Sequence, residues 1–336
     1  MKTSRFDFHL PKHLIALEPL KERDKAKMLV YDRSTGTTEH SFFFEITRYL
    51  KPEDLLILNN TKVIPARLPV RKPTGGKLEL LITEKISPGR YEVMTTGSYT
   101  GPVLMPGNLT GKLINGKVLK VPMEDIMGYL WEHGRMPLPP YIKREPKEED
   151  RQWYQTVYAK KEGSIAAPTA GLHFTEALLE KIKALGVSVE YLTLHVGVGT
   201  FLPIKSEEVE QHRMLPERFE VAESLIRKIE ETKRNNGRVI AVGTTVTRAI
   251  EGFFSGRYQR LQHTNGTIHG QTDIFIYPGY KFQAVDCLVT NFHLPKATPL
   301  MLVSAFCGWN TLKKLYEEAI ERGYRFFSYG DGMLIL

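Results

Sequence analysis

Cysteine is scarce in this chain of 336 residues, in which Cys287 and Cys307 are the only two. This count excludes a disulfide framework and any zinc site built from paired cysteines. Long hydrophobic runs are missing too, since none approaches the roughly 20 residues that a membrane helix needs. The first residues lack the apolar segment of a secretory signal. We therefore expect a cytoplasmic protein with no membrane partner.

Several catalytic motifs are also absent. No G-x-G-x-x-G follows a strand, and Gly197 and Gly199 supply only the weak G-x-G, so no standard dinucleotide-binding or methyltransferase fold is indicated. The sequence has no phosphate loop, no G-x-S-x-G of a hydrolase and no H-E-x-x-H zinc pattern. These absences predict a site without a metal.

What is present is typical of a globular protein, with 42% hydrophobic and 25% charged residues. The formal net charge is +8, an excess that favours nucleic acid or an anionic substrate as partner. The basic residues are dispersed along the chain, so the charge alone does not decide between these partners.

Two patterns of secondary structure divide the chain. Residues 68–148 show alternating strands, frequent glycine and proline, and the hairpin dipeptide Asn115-Gly116, which together predict a small all-β barrel. Residues 1–67 and 149–336 mix helices and strands and predict a discontinuous α/β domain that carries the barrel as an insertion. In the α/β domain we expect a mobile loop over 255–270 and a last strand over 325–327.

Polar loops follow the predicted strands of the α/β domain. Because ligands of α/β proteins bind at the carboxyl ends of strands, we expect these loops to converge on one pocket. The loops lie at residues 59–62, 195–200, 243–245, 291–293 and 328–331.

The stretch 163–201 is central to this arrangement. It holds two polar loops, separated by a helix that Thr175 is placed to cap and by a strand. Its candidate site residues are Thr169 and His173 in the first loop, and His195, Gly197, Gly199 and Thr200 in the second.

The candidate acid–base groups are histidines and carboxylates, and each has a structural alternative. His173 and His195 can each exchange a proton near neutral pH, and His173 is equally placed to be a packed loop residue. His293 follows Asn291 in a loop and can instead fix a turn. Asp331 lies between two glycines, where it either binds hydroxyls or forms a turn.

A helix start supplies a candidate anion site. Thr244 and Thr245 open a helix whose free N–H groups can hold a carboxylate. Arg248, one turn further, is placed to clamp that carboxylate, the alternative being a surface arginine paired with Glu251.

Several long motifs resemble one known family, the S-adenosylmethionine:tRNA ribosyltransferase-isomerases of the queuosine pathway. The similarity runs almost end to end, and its motifs are long and colinear. They are VIPARL at 63–68, GSIAAPTAGLHFT at 163–175, TLHVGVGTF at 193–201, AVGTT at 241–245 with Arg248 and Glu251, TNFHLP at 290–295 and YRFFSYGDGM at 324–333.

The resemblance implies an α/β fold, with a large barrel-like α/β domain and an inserted small β-barrel. It also implies an enzyme that acts on tRNA carrying 7-aminomethyl-7-deazaguanine at the wobble position. Such an enzyme transfers and isomerises the ribosyl group of S-adenosylmethionine onto the aminomethyl nitrogen, forming epoxyqueuosine and releasing adenine and methionine. S-adenosylmethionine is then a co-substrate, and no resident cofactor is expected.

On this hypothesis a base removes the proton that the sulfonium acidifies. His195 or His173 is assigned to acid–base roles and Asp331 or Glu217 to ribose hydroxyls, and Tyr329 is a candidate to face the sulfonium or stack a base. The substrate-binding set is completed by Thr169, Gly197, Gly199, Thr200, Thr244, Thr245, Arg248, Asn291 and His293.

The chain departs from the family pattern at Leu215 and Pro216, directly before Glu217. Two other function classes remain as alternatives: an RNA-binding module without catalysis, and an unusual S-adenosylmethionine-dependent methyltransferase. A monomer is expected, because no extended apolar surface helix demands a partner.

Overall fold

The structure is a computed structural model that describes residues 1–201 and 203–336, without the side chains of 200 and 201. Thr200, predicted to bind substrate, therefore has its side chain outside the described residues. Among the described residues, no helix is long and apolar enough to span a bilayer.

The helices and strands are as follows in chain order. The strands are β1 Lys27–Asp32, β2 Thr37–Phe42, β3 Leu55–Asn59, β4 Thr61–Val63, β5 Arg67–Arg71, β6 Lys77–Ser87, β7 Arg90–Thr95, β8 Gly101–Met105, β9 Leu109–Ile114, β10 Val118–Lys120, β11 Lys161–Ser164, β12 Ser188–Leu194, β13 Glu217–Ala222, β14 Val239–Val242, β15 Gln259–Thr264, β16 Thr267–Thr272, β17 Cys287–Asn291 and β18 Gly332–Ile335. The helices are α1 Met127–His133, α2 Asp150–Trp153, α3 Glu176–Ala184, α4 Glu223–Arg234, α5 Thr244–Phe254, α6 Thr298–Cys307 and α7 Trp309–Glu321.

The chain forms two compact units. The larger comprises Met1–Lys62, Gln155–Lys161 and Ala167–Leu336, and the smaller comprises Val63–Tyr154 and Glu162–Ala166. The smaller unit takes in more residues than the predicted 68–148: its barrel strand β5 begins at Arg67, and it also includes the short helix α2 and the segment Glu162–Ala166.

The smaller unit is built on a closed six-stranded barrel in the order β10-β7-β6-β5-β8-β9. Asn115 and Gly116 both have positive φ, 51° and 64°, between β9 and β10. This is the backbone that a two-residue turn needs to match the twist of its strands. The expectation of a small all-β barrel is confirmed.

The larger unit is built on a ten-stranded sheet in the order β15-β16-β13-β12-β3-β14-β17-β18-β1-β2. Its centre is parallel, since β12 and β14 both pair parallel with β3 and β17 pairs parallel with β14. The α/β class is confirmed. Among the described residues, the sheet ends at the hairpin strands β15 and β2, so the closed barrel of this protein is the one in the smaller unit.

The core of the larger unit lies between this sheet and α3. Leu56 and Leu58 of β3 are fully buried beside Ile240 and Val242 of β14. Because the central strands are covered on both faces, they consist of continuous apolar residues. Thr175 caps α3 by accepting a hydrogen bond from Leu178 N at 3.1 Å, as predicted.

Two sequence predictions for this unit are wrong. Residues 255–270 include a β-hairpin, β15–β16, whose turn residues Asn265 and Gly266 have positive φ of 49° and 68°. The last strand is β18 and not 325–327. The loop 328–331 therefore precedes a strand, and since β18 runs antiparallel to β17, with Gly332 opposite Asn291, it still lies at the edge where β17 ends.

Candidate active site

Asn59 organises the edge of the sheet where the parallel strands end. Its Oδ1 accepts hydrogen bonds from Leu194 N at 3.0 Å and Thr61 N at 3.1 Å. Its Nδ2 donates to Leu194 O at 2.9 Å and to Thr245 Oγ1 at 3.3 Å. One fully buried amide thereby joins the ends of β3 and β12 to the start of α5, and it satisfies backbone groups that would be costly to bury unpaired.

His195 follows β12 at this edge and is half-buried. Its backbone N–H donates to Arg218 O at 2.9 Å, and its Nδ1 lies 2.9 Å from Thr61 Oγ1. Burial lowers the pKa of His195, an effect that the nearby carboxylate of Glu220 opposes. The lowered pKa favours the neutral imidazole at pH 7, and among the described residues Nε2 makes no hydrogen bond, which leaves one nitrogen available for proton exchange.

Glu217 and Arg248 form a buried ion pair beside His195. Oε2 of Glu217 lies 2.6 Å from Nη1 of Arg248, and the two side chains are 3% and 8% exposed. Oε1 of Glu217 accepts a hydrogen bond from Gly197 N at 3.2 Å. The carboxylate therefore ties the loop that follows His195 to helix α5.

The surface pairing of Arg248 with Glu251 is not what the structure shows. Glu251 is fully buried and accepts hydrogen bonds from the hydroxyl of Tyr280 and from three backbone N–H groups of residues 283–285. Glu251 fixes the segment that leads into β17, and Arg248 forms its ion pair with Glu217.

Arg248 retains unused hydrogen-bonding capacity. Its Nε and Nη2 are buried and have no hydrogen-bond partner among the described residues. Arg248 lines a cavity of about 10 Å³, together with Thr244, Thr245, Met214 and Phe275. This volume holds about one water molecule. Two buried guanidinium nitrogens without a hydrogen-bond partner among the described residues can bind an anion or a water.

The start of α5 lies against the same cavity. Gly243 reaches φ 92° just before the helix, and no side chain caps the helix. The N–H groups of the first helical turn thus carry the positive end of the helix dipole next to Arg248. The structure brings Thr244, Thr245 and Arg248 together around this cavity, in an arrangement that suits a carboxylate.

His173 belongs to a second cluster, at the end of β17. Its ring stacks on Phe43 with 4.4 Å between centroids, and its Nε2 lies 3.2 Å from Asn291 Nδ2. Asn291 Oδ1 in turn accepts a hydrogen bond from Thr169 Oγ1 at 2.7 Å. Burial lowers the pKa of His173 to about 4. With the Asn291 amide as donor, Nε2 of His173 is an acceptor and the ring is neutral.

Asp331 and His293 are both engaged by hydrogen-bond partners within the protein. The carboxylate of Asp331 accepts hydrogen bonds from Lys27 N at 2.9 Å and Arg325 N at 2.7 Å, and burial raises its pKa. His293 Nε2 lies 2.8 Å from Thr290 Oγ1, and burial lowers the pKa of His293 to about 3. Both residues, and the buried Tyr329, lie at the predicted edge. The contacts of Asp331 and His293 are those of loop-fixing residues.

The two glycines predicted to admit a ligand differ. Apart from its own chain neighbours, no heavy atom of the described residues lies within 4 Å of the position that a Cβ on Gly197 would occupy. At Gly199 that position is 3.5 Å from the side chain of Leu215, which is 51% exposed. The open side of the His195 loop is therefore at Gly197.

Sequence reasoning missed Asn59 and Thr61 as site residues. The signal was the polar segment after an apolar strand, DLLIL at 54–58. That segment predicts a loop at the site. It does not indicate that Thr61 contacts His195, because Thr61 and His195 are 134 positions apart in the chain.

Fold and site together define an α/β protein with an inserted β-barrel and a cluster of histidine, carboxylate and arginine side chains at the edge of its main sheet. A family model described as queuosine biosynthesis protein matches residues 3–335. The chain belongs to this family.

Relatives of known name are similar over their whole length. The S-adenosylmethionine:tRNA ribosyltransferase-isomerase of Thermodesulfovibrio yellowstonii is 53% identical, and the protein of the same name from Halothermothrix orenii is 49% identical, each with 100% of both chains covered. The crystal structure of S-adenosylmethionine tRNA ribosyltransferase from Thermotoga maritima matches with a TM-score of 0.57 and 34% identity, covering 98% of this chain and 99% of that one. These matches confirm the expected family and the expectation of an enzyme of the transferase and isomerase type.

Proposed function

We propose that this enzyme transfers and isomerises the ribosyl moiety of S-adenosylmethionine onto 7-aminomethyl-7-deazaguanine at the wobble position of tRNA. The products are epoxyqueuosine in tRNA, free adenine and methionine. The observation that carries the proposal is the end-to-end similarity to relatives named S-adenosylmethionine:tRNA ribosyltransferase-isomerase, with about half of all positions identical.

The cluster around Arg248 supports a site for the methionine carboxylate of the co-substrate. A carboxylate there would accept hydrogen bonds from the idle Nε and Nη2 and from the first N–H groups of α5. The cavity of about 10 Å³ must widen to admit it. Because Met214 and Phe275 line the cavity, their side chains are the ones expected to move.

His195 is the residue best suited to act as the base. The sulfonium acidifies the neighbouring ribose carbon, and the proton of that carbon passes to Nε2 of His195 while the electron pair stays on carbon. That electron pair opens the ribose ring by breaking the adjacent ring C–O bond, and the ring oxygen then expels adenine, which takes up a proton. The tRNA amine bonds to the resulting carbon skeleton and gives up a proton, and closure to the epoxide breaks the carbon–sulfur bond and releases methionine. His173 and Asp331 are better suited to hold the loops in place, because their polar atoms are occupied by Asn291 and by backbone N–H groups.

The partners follow from the reaction. S-adenosylmethionine is consumed as a co-substrate and no resident cofactor or metal is required. The net charge of +8 suits a tRNA substrate. We further propose a monomer that works in the cytoplasm.

Product analysis tests this function. The protein is mixed with S-adenosylmethionine and tRNA that carries the aminomethyl-deazaguanine, and free adenine, methionine and tRNA mass are followed. We expect adenine to appear in step with a ribosyl-derived adduct on the tRNA. Formation of S-adenosylhomocysteine would indicate methyl transfer, and tRNA binding without adenine release would indicate a binding module.

A histidine variant tests the base. We expect His195→Ala to lower kcat by about 10²-fold or more, which is the typical contribution of a positioned acid–base group. His13→Ala is the matched control, since His13 is exposed and lies outside the cluster. Turnover of His195→Ala within a few-fold of the control would remove His195 from the base role.

A further inference from the structure

We propose that Thr61 is a positioning residue for His195, whose hydroxyl holds Nδ1 of the imidazole and so presents Nε2 to the substrate. The inference rests on the proposed function for its catalytic consequence. Its structural content, the fixed orientation and tautomer of one histidine, stands apart from that function and is tested separately.

Thr61 is itself held on several sides. The residue is fully buried, and its backbone N–H donates to Asn59 Oδ1 at 3.1 Å. A threonine side chain is branched at Cβ, which restricts its χ1 angle. The hydroxyl lies 2.9 Å from Nδ1 of His195 and 3.5 Å from the carbonyl oxygen of Lys161. A rigid hydroxyl therefore stands at one fixed side of the imidazole.

The backbone of His195 is anchored as well. Asn59 binds both backbone groups of Leu194, and the N–H of His195 donates to Arg218 O. With the main chain fixed on one side and Nδ1 on the other, the ring has a single orientation. Nε2 then points away from Thr61.

The single hydroxyl proton of Thr61 decides the tautomer. When the hydroxyl proton of Thr61 is directed to the carbonyl oxygen of Lys161, the hydroxyl oxygen is left to accept a hydrogen bond from the Nδ1–H of His195. The proton of the neutral imidazole then sits on Nδ1, and Nε2 carries the lone pair that a base needs. When Nε2 takes the proton, the Nδ1–H bond to Thr61 persists, so no group reorganises during the step.

The charged groups around His195 do not replace Thr61 as its partner. The charged groups that act on the pKa of His195 are Lys161 and two residues of β13, Glu220 and Arg218. Glu220 is engaged by Lys161 at 3.4 Å and approached by His269 of β16 at 3.7 Å. They act on His195 through space, whereas the hydroxyl of Thr61 contacts it directly.

Two substitutions at Thr61 separate positioning from packing. Thr61→Val keeps the shape and removes the hydroxyl, and Thr61→Ser keeps the hydroxyl. We expect Thr61→Val to lower kcat about tenfold or more and to leave KM for both substrates within about twofold of wild type. The loss is a part of the roughly 10²–10⁴-fold rate enhancement that a positioned base contributes. Thr61→Ser should return kcat to within about threefold of wild type. Thr38→Val, at an exposed threonine of β2, is the matched control.

A double substitution shows whether Thr61 acts through His195. In the His195→Ala background, Thr61→Val should cause no further loss of kcat, because the group that it positions is gone. The acidic limb of the pH profile should also shift in Thr61→Val and return in Thr61→Ser. Additive losses, a serine variant as impaired as the valine variant, or a valine variant within twofold of wild type would overturn the proposal.

Nitrogen NMR of the wild-type protein tests the inference without turnover. We expect His195 to show a protonated Nδ1 and an unprotonated Nε2 at pH 7, and this pattern to be lost in Thr61→Val. A protonated Nε2 in the wild type would refute the tautomer. If the wild type releases no adenine, the proposed function fails while this spectrum still decides whether Thr61 orients His195. If Thr61→Val does not fold, the wild-type spectrum and the serine variant decide.

Discussion

Replacing Arg248 by methionine tests whether the ion pair with Glu217 is as buried as its geometry indicates. Methionine keeps most of the apolar stem, so the main loss is the positive charge. The charged atoms lie 2.6 Å apart and the side chains are 8% and 3% exposed. Removing one partner strands a buried carboxylate, a change that costs about 3–5 kcal/mol. We expect the free energy of unfolding to fall by this amount.

An exposed ion pair provides the matched control. Arg48 and Glu39 are 3.1 Å apart with side chains 56% and 49% exposed. Solvent screens such a pair, so Arg48→Met should cost less than about 1 kcal/mol. Both variants are compared with wild type by urea unfolding, followed by circular dichroism at constant pH and salt.

The double variant Arg248→Met, Glu217→Gln separates the lost contact from the stranded charge. Because glutamine carries no charge, the double variant should recover much of the stability that the single variant loses. A single variant no less stable than Arg48→Met, or a double variant no more stable than the single one, would refute this reasoning. The KM for S-adenosylmethionine should rise in Arg248→Met and stay unchanged in Arg48→Met.

Three further predictions concern titrating and loop-fixing residues. Burial lowers the pKa of His195, and a base acts in its unprotonated form, so kcat/KM should fall only below the unperturbed histidine pKa of about 6.5. A kcat/KM that rises as the pH falls would contradict the assignment of His195 as the base. Burial lowers the pKa of His173 to about 4, so as the pH drops the unfolded chain binds a proton at this residue before the folded protein does. The free energy of unfolding should therefore fall by an amount on the order of 3 kcal/mol between about pH 6.5 and 4. In urea titrations, His173→Gln should flatten this loss. Asp331→Asn should lower the free energy of unfolding by about 1–3 kcal/mol, because an amide has one oxygen in place of the two that accept the backbone N–H groups of Lys27 and Arg325. The KM for S-adenosylmethionine should stay unchanged. A raised KM without a loss of stability would indicate that Asp331 contacts the substrate.

Local patterns predicted the elements that depend on nearby residues. The cap at Thr175, the turn at Asn115-Gly116 and the buried strand at 54–58, observed as β3, were all predictable from residue type and spacing, because backbone geometry over a few residues decides them. The hairpin at 259–272 carries the same dipeptide, Asn265-Gly266, yet the overall pattern of 255–270 predicts a mobile loop, which is wrong. Its first strand is exposed along its whole length and shows no alternation of apolar residues.

The sequence by itself determined the α/β class, the inserted barrel, the family, and the set of polar loops that meet at one edge of the sheet. The tertiary structure alone decided what each polar side chain does there. Arg248 pairs with Glu217 and not with Glu251, Asp331 binds backbone N–H groups, and His195 contacts Thr61 across 134 positions of the chain. The physical reason is that such pairings depend on strand order and register, which bring distant residues within hydrogen-bonding distance. Residue type and local spacing carry no information about those distances.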